Sequence, residues 1–248
     1  MPFDLDIINL LLIALITIIA AGVGTISGFG TSTIMVPVLI FFFPYPVTLL
    51  FVGIIHWFGD IWKMAFFPSG INWRVILGFG LVGILASYLG AMLTLRIPTD
   101  VLLRALGAFL LAYVIFLFLR REWQLPQDLR TMVSGGALSG FFAGIFGVGG
   151  AVRGTFLTAF NLPKETYIFT SGAIALFIDS ARIITYLSEG VRLESFLLYG
   201  LIAFIPASFL GAFLAKKVVD RIPQTAFRLV VAAFLGLVAL RFLLLPSI

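Results

Sequence analysis

The chain has 248 residues, of which 61% are apolar or aromatic and only 11% are charged. An ordinary soluble domain carries roughly 25% charged residues, so the composition excludes a soluble enzyme and predicts a protein solvated mostly by lipid. The chain has no cysteine and a single histidine, His56, so we expect no metal site and no cofactor. The net charge of +5 lies mainly in short loops, which bears on membrane orientation and gives no reason to expect nucleic acid as a partner.

Eight apolar stretches are long enough to cross a bilayer, since about 20 helical residues span its hydrocarbon core. The first follows an acidic start at Asp4 and Asp6 and continues into further apolar sequence, so we interpret it as a retained helix and not as a signal peptide. The sequence therefore predicts an all-α polytopic membrane protein. The predicted spans are 5–27, 46–67, 75–95, 101–120, 129–147, 165–187, 195–215 and 225–245.

Two further apolar stretches, 31–43 and 150–161, are too short to cross alone. Each follows a glycine cluster, at 22–30 and 140–150. Glycine costs about 1 kcal/mol in a helix interior and permits positive φ. Each cluster therefore predicts a helix break with a short half-helix after it.

The two halves of the chain repeat one another. The predicted organisation is a first transmembrane repeat at 1–120, a polar loop at 121–130 and a second repeat at 131–248. The matches keep their order and include charged positions, which apolar low-complexity sequence would not align by chance. The matched positions are Gly28 with Gly147, Gly30 with Gly149, Pro44 with Pro163, Asp60 with Asp179, Lys63 with Arg182, and Arg96-Ile-Pro98 with Arg221-Ile-Pro223.

Repeated halves with broken helices are typical of secondary transporters. If each short helix returns as a half-crossing, each half crosses the membrane an odd number of times and the halves are antiparallel. The 121–130 loop and the lysines Lys216 and Lys217 would then share the cytoplasmic side, in line with the positive-inside tendency. Eight plain crossings would separate them. The sequence favours inverted repeats, with parallel repeats as the alternative.

Ionisable side chains inside membrane helices cost roughly 2.5–3.5 kcal/mol each and call for an explanation. Asp60 and Lys63 are three residues apart, as are Asp179 and Arg182, so each pair shares a helix face. Two interpretations stay open. The pairs are structural ion pairs, or a member of the set, which includes His56, titrates with transport.

Arg153 lies in the first turn of the second short helix, and no acidic residue is near it in sequence. Helix starts expose unpaired N–H groups, so two starts that meet would form an anion site, and a guanidinium suits an oxyanion. Alternatively, Arg153 pairs with Asp60 or Asp179 and only holds the fold. Hydroxyls nearby could cap a helix or donate to a ligand. The predicted substrate-binding residues are Ser27, Gly30, Thr31, Ser32, Thr33, Gly149, Gly150 and Arg153.

The segment Gly28-Phe-Gly-Thr-Ser-Thr-Ile-Met-Val-Pro37 and the segment 140–154, with their following prolines, resemble the sulfite exporter TauE/SafE family of membrane transporters. The resemblance covers nearly the whole chain, although Gly30-Thr31 stands where many members have two glycines. It implies two repeats of about four membrane segments. It also implies export of sulfite, sulfoacetate or other organosulfonates across the cytoplasmic (inner) membrane of a prokaryote.

The expected function is thus a secondary transporter that binds a small sulfur-containing oxyanion between the two helix breaks and works by alternating access. An anion channel and a carrier for a non-sulfur carboxylate are the alternatives. An intramembrane enzyme is disfavoured, because His56 has no serine in a Gly-x-Ser-x-Gly frame and no His-Glu-x-x-His occurs. The expected partners are the anion and the lipid bilayer; a homodimer is left open.

Overall fold

The computed structural model describes residues 7–27, 29–68, 70–119, 124–218 and 224–246, and no side chain within 224–231. These residues form ten α-helices and no strand. Helix bounds agree with the predicted segments to within four residues. The predicted Arg221-Ile-Pro223 match, Gly28 and the first part of the polar loop lie outside the described residues. The helices are α1 (Ile7–Ser27), α2 (Ser32–Leu39), α3 (Tyr45–Phe66), α4 (Trp73–Thr94), α5 (Thr99–Leu119), α6 (Leu129–Phe146), α7 (Gly149–Ala159), α8 (Lys164–Ser188), α9 (Ser195–Val218) and α10 (Gln224–Leu244).

The outer surface of the bundle is apolar and its interior holds charge. Seven helices in the described part of the chain, α1, α3, α4, α5, α6, α8 and α9, are long and apolar enough to cross a membrane. Large aliphatic side chains face outward, such as Ile7 at 74% and Ile202 at 79% exposure, whereas Asp60 and Arg182 are fully buried. This inside-out distribution is that of an integral multi-pass membrane protein.

The two most extensive helix–helix contacts join the first half of the chain to the second, because α1 packs on α9 and α4 packs on α6. Along α6, glycines at every fourth position face α4, and a methyl group at Gly140 would overlap the Gly83 carbonyl. Small residues at this spacing let two membrane helices approach backbone to backbone. The remaining packing places α3 and α8 at the centre, in contact with each other.

Both helix interruptions use a glycine with positive φ. Gly30 has φ of 86° between α1 and α2, and Gly147 has φ of 72° directly after α6. The half-helices that follow have 8 and 11 residues, which corresponds to lengths of about 12 Å and about 16 Å. Neither is long enough to cross the hydrocarbon core.

The connection between the halves is fastened to the end of α7. The Leu125 amide donates to the Ala159 carbonyl over 3.0 Å, and the Gln127 side-chain amide donates to the Phe160 carbonyl over 2.8 Å. Asp128 then caps α6 by accepting from the Thr131 amide, a bond that lowers the pKa of its carboxyl. The start of α6 and the end of α7 are therefore neighbours, on one side of the bundle.

Candidate functional site

Five ionisable side chains from α3 and α8 form one buried cluster. Lys63 Nζ lies 2.8 Å from Asp60 Oδ1, and Arg182 Nε lies 2.7 Å from Asp179 Oδ1. His56 joins the two helices, because its Nδ1 is 2.5 Å from Asp179 Oδ2 and 3.6 Å from Asp60 Oδ2. None of the five is more than 2% exposed. The residues predicted as two separate i,i+3 pairs thus form a single network across the centre of the bundle.

The hydrogen bond from His56 fixes the tautomer of its ring. The Asp179 carboxylate also receives Arg182 Nε, and an ionised carboxylate can only accept, so His56 Nδ1 carries a proton. His56 Nε2 has no hydrogen-bond partner among the described residues. It is turned toward the first helix break, where a Cβ added to Gly30 would overlap it. The imidazole therefore connects the acidic cluster to that break.

Arg153 projects from α7 into the interior and is 1% exposed. Its Nε donates to Ser171 Oγ over 3.0 Å, whereas Nη2 lacks a hydrogen-bond partner in the part of the chain that the structure describes. Asp60 and Asp179 attract its charge and Arg182 repels it. Among the described residues it forms no ion pair with either aspartate. Buried guanidinium donors are costly to leave unpaired, which makes Arg153 available to a ligand. Nothing in its sequence neighbourhood indicated Ser171 as the partner.

The Arg182 guanidinium also has donors without a partner among the described residues. Its Nε bonds to Asp179, while Nη1 and Nη2 lack partners among the described residues. Gly147, at the second helix break, lies beside this fork, since a Cβ added there would be 3.3 Å from Nη1. A second set of cationic donors thus faces the end of α6.

Both half-helices begin without a side-chain cap within the described residues. The N-cap residues are Thr31 for α2 and Val148 for α7. The Thr31 hydroxyl is buried and unpaired in the described ranges, beside Gly59 of α3. The first-turn N–H groups of the two helices, which include Ser32, Thr33, Gly149 and Gly150, are the kind that bind anions at helix starts.

Two predicted hydroxyls are already engaged with the backbone. Ser27 Oγ donates to the Val23 carbonyl and accepts from the Phe29 amide, at 2.8 Å and 3.1 Å. Thr33 Oγ1 donates to the Phe29 carbonyl over 3.0 Å. Their assignment to substrate stays a prediction, and the geometry gives both a local structural role.

The two breaks touch each other. A Cβ added to Gly150 would overlap the Phe29 carbonyl, and one added to Gly154 would lie 2.7 Å from the Phe29 ring. Gly30 in turn rests on His56. The two half-helix starts are therefore in contact, with His56 beside the first break and Arg153 one turn into the half-helix after the second.

Tyrosine hydroxyls close the helix ends at the breaks, which sequence inspection did not reveal. Tyr45, in the first turn of α3, donates to the Ile145 carbonyl over 2.9 Å, and Tyr186 donates to the Gly144 carbonyl. Tyr167, in the first turn of α8, donates to the Ser27 carbonyl over 3.0 Å. The bonds from Tyr45 and Tyr167 therefore join the two halves of the chain, whereas the bond from Tyr186 lies within the second half.

Three potential ligand groups, on His56, Asp60 and Asp179, lie within 4.8 Å of one another, which is close enough to hold a metal ion. Both carboxylates already bind a cationic side chain, Lys63 or Arg182. The charge of the carboxylates is thereby compensated, so we describe the group as a hydrogen-bonded ion network.

A multi-pass helical protein that keeps its charges in the interior, beside two interrupted helices, has the features of a membrane transporter. The family model for Sulfite exporter TauE/SafE matches residues 13–242, and the chain belongs to this family. A relative described as Probable membrane transporter protein MJ0441, from Methanocaldococcus jannaschii, is 25% identical over 270 residues, which cover 98% of this chain and 100% of the relative. Family and relative are transporters and not enzymes, and so is this protein.

Proposed function

We propose that the protein is a secondary carrier for small oxyanions, bound where the two half-helix starts meet. The observation that carries this proposal is Arg153 Nη2, a buried donor without a partner among the described residues. Arg153 belongs to α7, and the start of α7 contacts the break before α2; neither half-helix has a side-chain cap there. A guanidinium and bare N–H groups are the donors that oxyanions require. The backbone of Gly149, Gly150, Thr31, Ser32 and Thr33 would supply the N–H groups, with the Gly30 turn holding the site open.

The charge of the interior supports an anionic substrate. Asp60 and Lys63 compensate each other, as do Asp179 and Arg182. With neutral His56, Arg153 leaves the cluster with one positive charge in excess. An uncompensated charge is costly in a low-dielectric interior, so a bound anion would remove that cost.

The closed surroundings of the cluster favour a carrier over a channel. Arg153 is 1% exposed and His56 is 2% exposed, so an anion could reach them only after the bundle opens. Alternating access would provide such an opening on one side at a time. A channel, the alternative, would instead need a continuous aqueous path past these side chains.

Two features support inverted repeats. The fastening of residues 125–127 to the end of α7 means that the α6–α7 hairpin begins and ends on one side, which leaves three crossings, α8 to α10, in the second half. Exchanging α1–α5 with α6–α10 also maps the contacts of α1 with α9 and of α3 with α9 onto those of α6 with α4 and of α8 with α4. An odd number of crossings per half makes the halves antiparallel.

The orientation that follows is compatible with export. Lys216 lies over the Phe66 ring at the end of α3, on the same side as the loop that precedes α6. The positive-inside tendency assigns that side to the cytoplasm. An anion leaving a cell with a negative interior gains about 2.3 kcal/mol per charge for each 100 mV.

Association of the chain into a homodimer stays a prediction.

Family membership supports a sulfur-containing substrate, sulfite or an organosulfonate, as part of this proposal. A thermal-shift series on the purified protein tests it, because a ligand that binds the folded state raises its apparent stability. We expect methanesulfonate and sulfoacetate to raise Tm more than acetate and malonate at equal concentration. A larger shift with the carboxylates would favour a carboxylate carrier, and no shift with any oxyanion would contradict the proposal.

A further inference from the structure

We infer that His56 is the proton-carrying contact to the substrate, so that the transporter takes up one proton with a dianion and none with a monoanion. The inference rests on the proposed function, since it needs an anion at the meeting point of the helix breaks. It goes further by assigning the protonated atom, the charge class of the substrate and the coupling stoichiometry.

The geometry identifies the atom. His56 Nδ1 donates to the Asp179 carboxylate, so Nε2 is the ring nitrogen left to bind a second proton. Nε2 is buried, lacks a partner in the described ranges and faces Gly30 at the first break. Neutral, it offers a lone pair, which repels an anion. Protonated, it offers an N–H donor to the proposed anion site, in addition to the donors of Arg153.

The charges around His56 determine how many negative charges the site accepts. Its own helix contributes Asp60 and Lys63, α8 contributes Asp179 and Arg182, and α7 contributes Arg153. Helices α1 and α2 contain no ionisable residue. The lysines of α9 lie at its far end, where Lys216 packs against Phe66 and Phe67.

Two negative and three positive charges give a sum of +1, which rises to +2 when Nε2 is protonated. A monoanion therefore neutralises the site with His56 neutral, whereas a dianion does so only with His56 protonated. In the second case a proton from water binds the Nε2 lone pair as the dianion enters and leaves with it on the other side. One net negative charge then moves per cycle for either substrate.

The wild-type protein in proteoliposomes provides the first test. Sulfoacetate is a dianion and methanesulfonate a monoanion throughout pH 6–8, whereas sulfite itself titrates in this range and is unsuitable. With a pH-sensitive dye in the lumen, sulfoacetate influx should acidify it by one proton per anion, and methanesulfonate influx should not. Because only sulfoacetate transport consumes a proton, it should fall relative to methanesulfonate transport as the pH rises.

Two substitutions of His56 distinguish the roles of its two ring nitrogens. His56→Asn retains a donor near the Nδ1 position for Asp179 and removes the Nε2 position. His56→Gln retains an uncharged polar group near Nε2. We expect both to abolish proton movement, and we expect the ratio of sulfoacetate to methanesulfonate transport to fall at least tenfold in His56→Asn and less in His56→Gln.

The outcomes separate the two proposals. Transport of both sulfonates with identical pH profiles and no proton movement would overturn the role of His56 and leave the anion carrier intact. Absence of transport together with absence of any oxyanion thermal shift would overturn both. If the variants fail to fold, the proton measurement on the wild-type protein still decides the inference.

Discussion

The two helix breaks share a backbone device but differ in chemistry. Each uses one glycine with positive φ, and each leads into a half-helix that lacks a side-chain cap within the described residues. The first break has the neutral Thr31 hydroxyl and, behind Gly30, the titratable imidazole of His56. The second is followed, one turn into α7, by the permanently charged Arg153. The two breaks thus share a backbone geometry, whereas only the second is followed by a residue with a permanent charge.

We expect the largest effect from a substitution that forces the two helix breaks apart. Gly150→Ala introduces a methyl group into the position of the Phe29 carbonyl, where neither backbone can yield without moving a half-helix. We expect loss of transport and a strongly lowered yield of folded protein, since overpacking costs 1–3 kcal/mol or more even in adaptable cores. Size-exclusion profiles and Tm in detergent measure this.

Gly236→Ala is the matched control for that substitution. A Cβ at Gly236 of α10 meets no atom within 4 Å among the described residues. Normal folding and transport are expected. If both substitutions lowered the yield and transport equally, the loss of any glycine, and not the contact between the breaks, would explain the effect of Gly150→Ala.

The two ion pairs differ in their number of hydrogen bonds, so we expect them to contribute differently to the free energy of unfolding. Asp179 accepts from both Arg182 and His56, whereas the one hydrogen bond to Asp60 in the described part of the chain comes from Lys63. Breaking a buried pair costs about 3–5 kcal/mol, because it leaves an uncompensated charge. We expect Asp179→Asn to lower the free energy of unfolding by about that amount and Asp60→Asn by less. Thermal or chemical unfolding in detergent tests the order, which a larger loss in Asp60→Asn would contradict.

Replacement of the fixed charge tests the second break directly. Arg153→Gln should weaken oxyanion binding by roughly 10- to 100-fold, since a hydrogen bond to a charged group contributes about 1.5–3 kcal/mol. Arg153→Lys should recover only part of this, because an ammonium lacks the fork. Binding is measured by the anion-dependent Tm shift. Arg74→Gln, which removes an exposed arginine at the start of α4, is the control and should bind normally.

We expect the smallest effect at Asp128, the N-cap residue of α6. The amide of Thr131 holds the pKa of Asp128 below the ordinary aspartate value, so the cap stabilises the fold fully near neutral pH and loses this contribution as pH falls below about 4. Asp128→Asn should remove that pH dependence at little cost, since asparagine is also a good N-cap, whereas Asp128→Ala should lower Tm slightly at neutral pH. Hydrogen exchange in the first turn of α6 measures both.

Hydropathy and glycine spacing predict the helices well, because lipid imposes long apolar segments and positive φ favours glycine. Pairs at i,i+3 such as Asp60 and Lys63 are equally visible, since helix geometry alone brings them together. Contacts between helices are not encoded in this way. The bond from His56 to Asp179 joins residues 123 positions apart, and the bond from Arg153 to Ser171 depends on how α7 packs on α8. No periodicity indicates either.

The crossed tyrosine contacts have a consequence for biosynthesis. The last turn of α1 obtains its partner for the Ser27 carbonyl from Tyr167, which lies 140 positions later in the chain. A nascent first half would wait in the bilayer with that carbonyl unsatisfied until α8 has been translated and inserted. The two halves should consequently mature together, and fragments expressed separately should accumulate only when both are supplied to the same membrane.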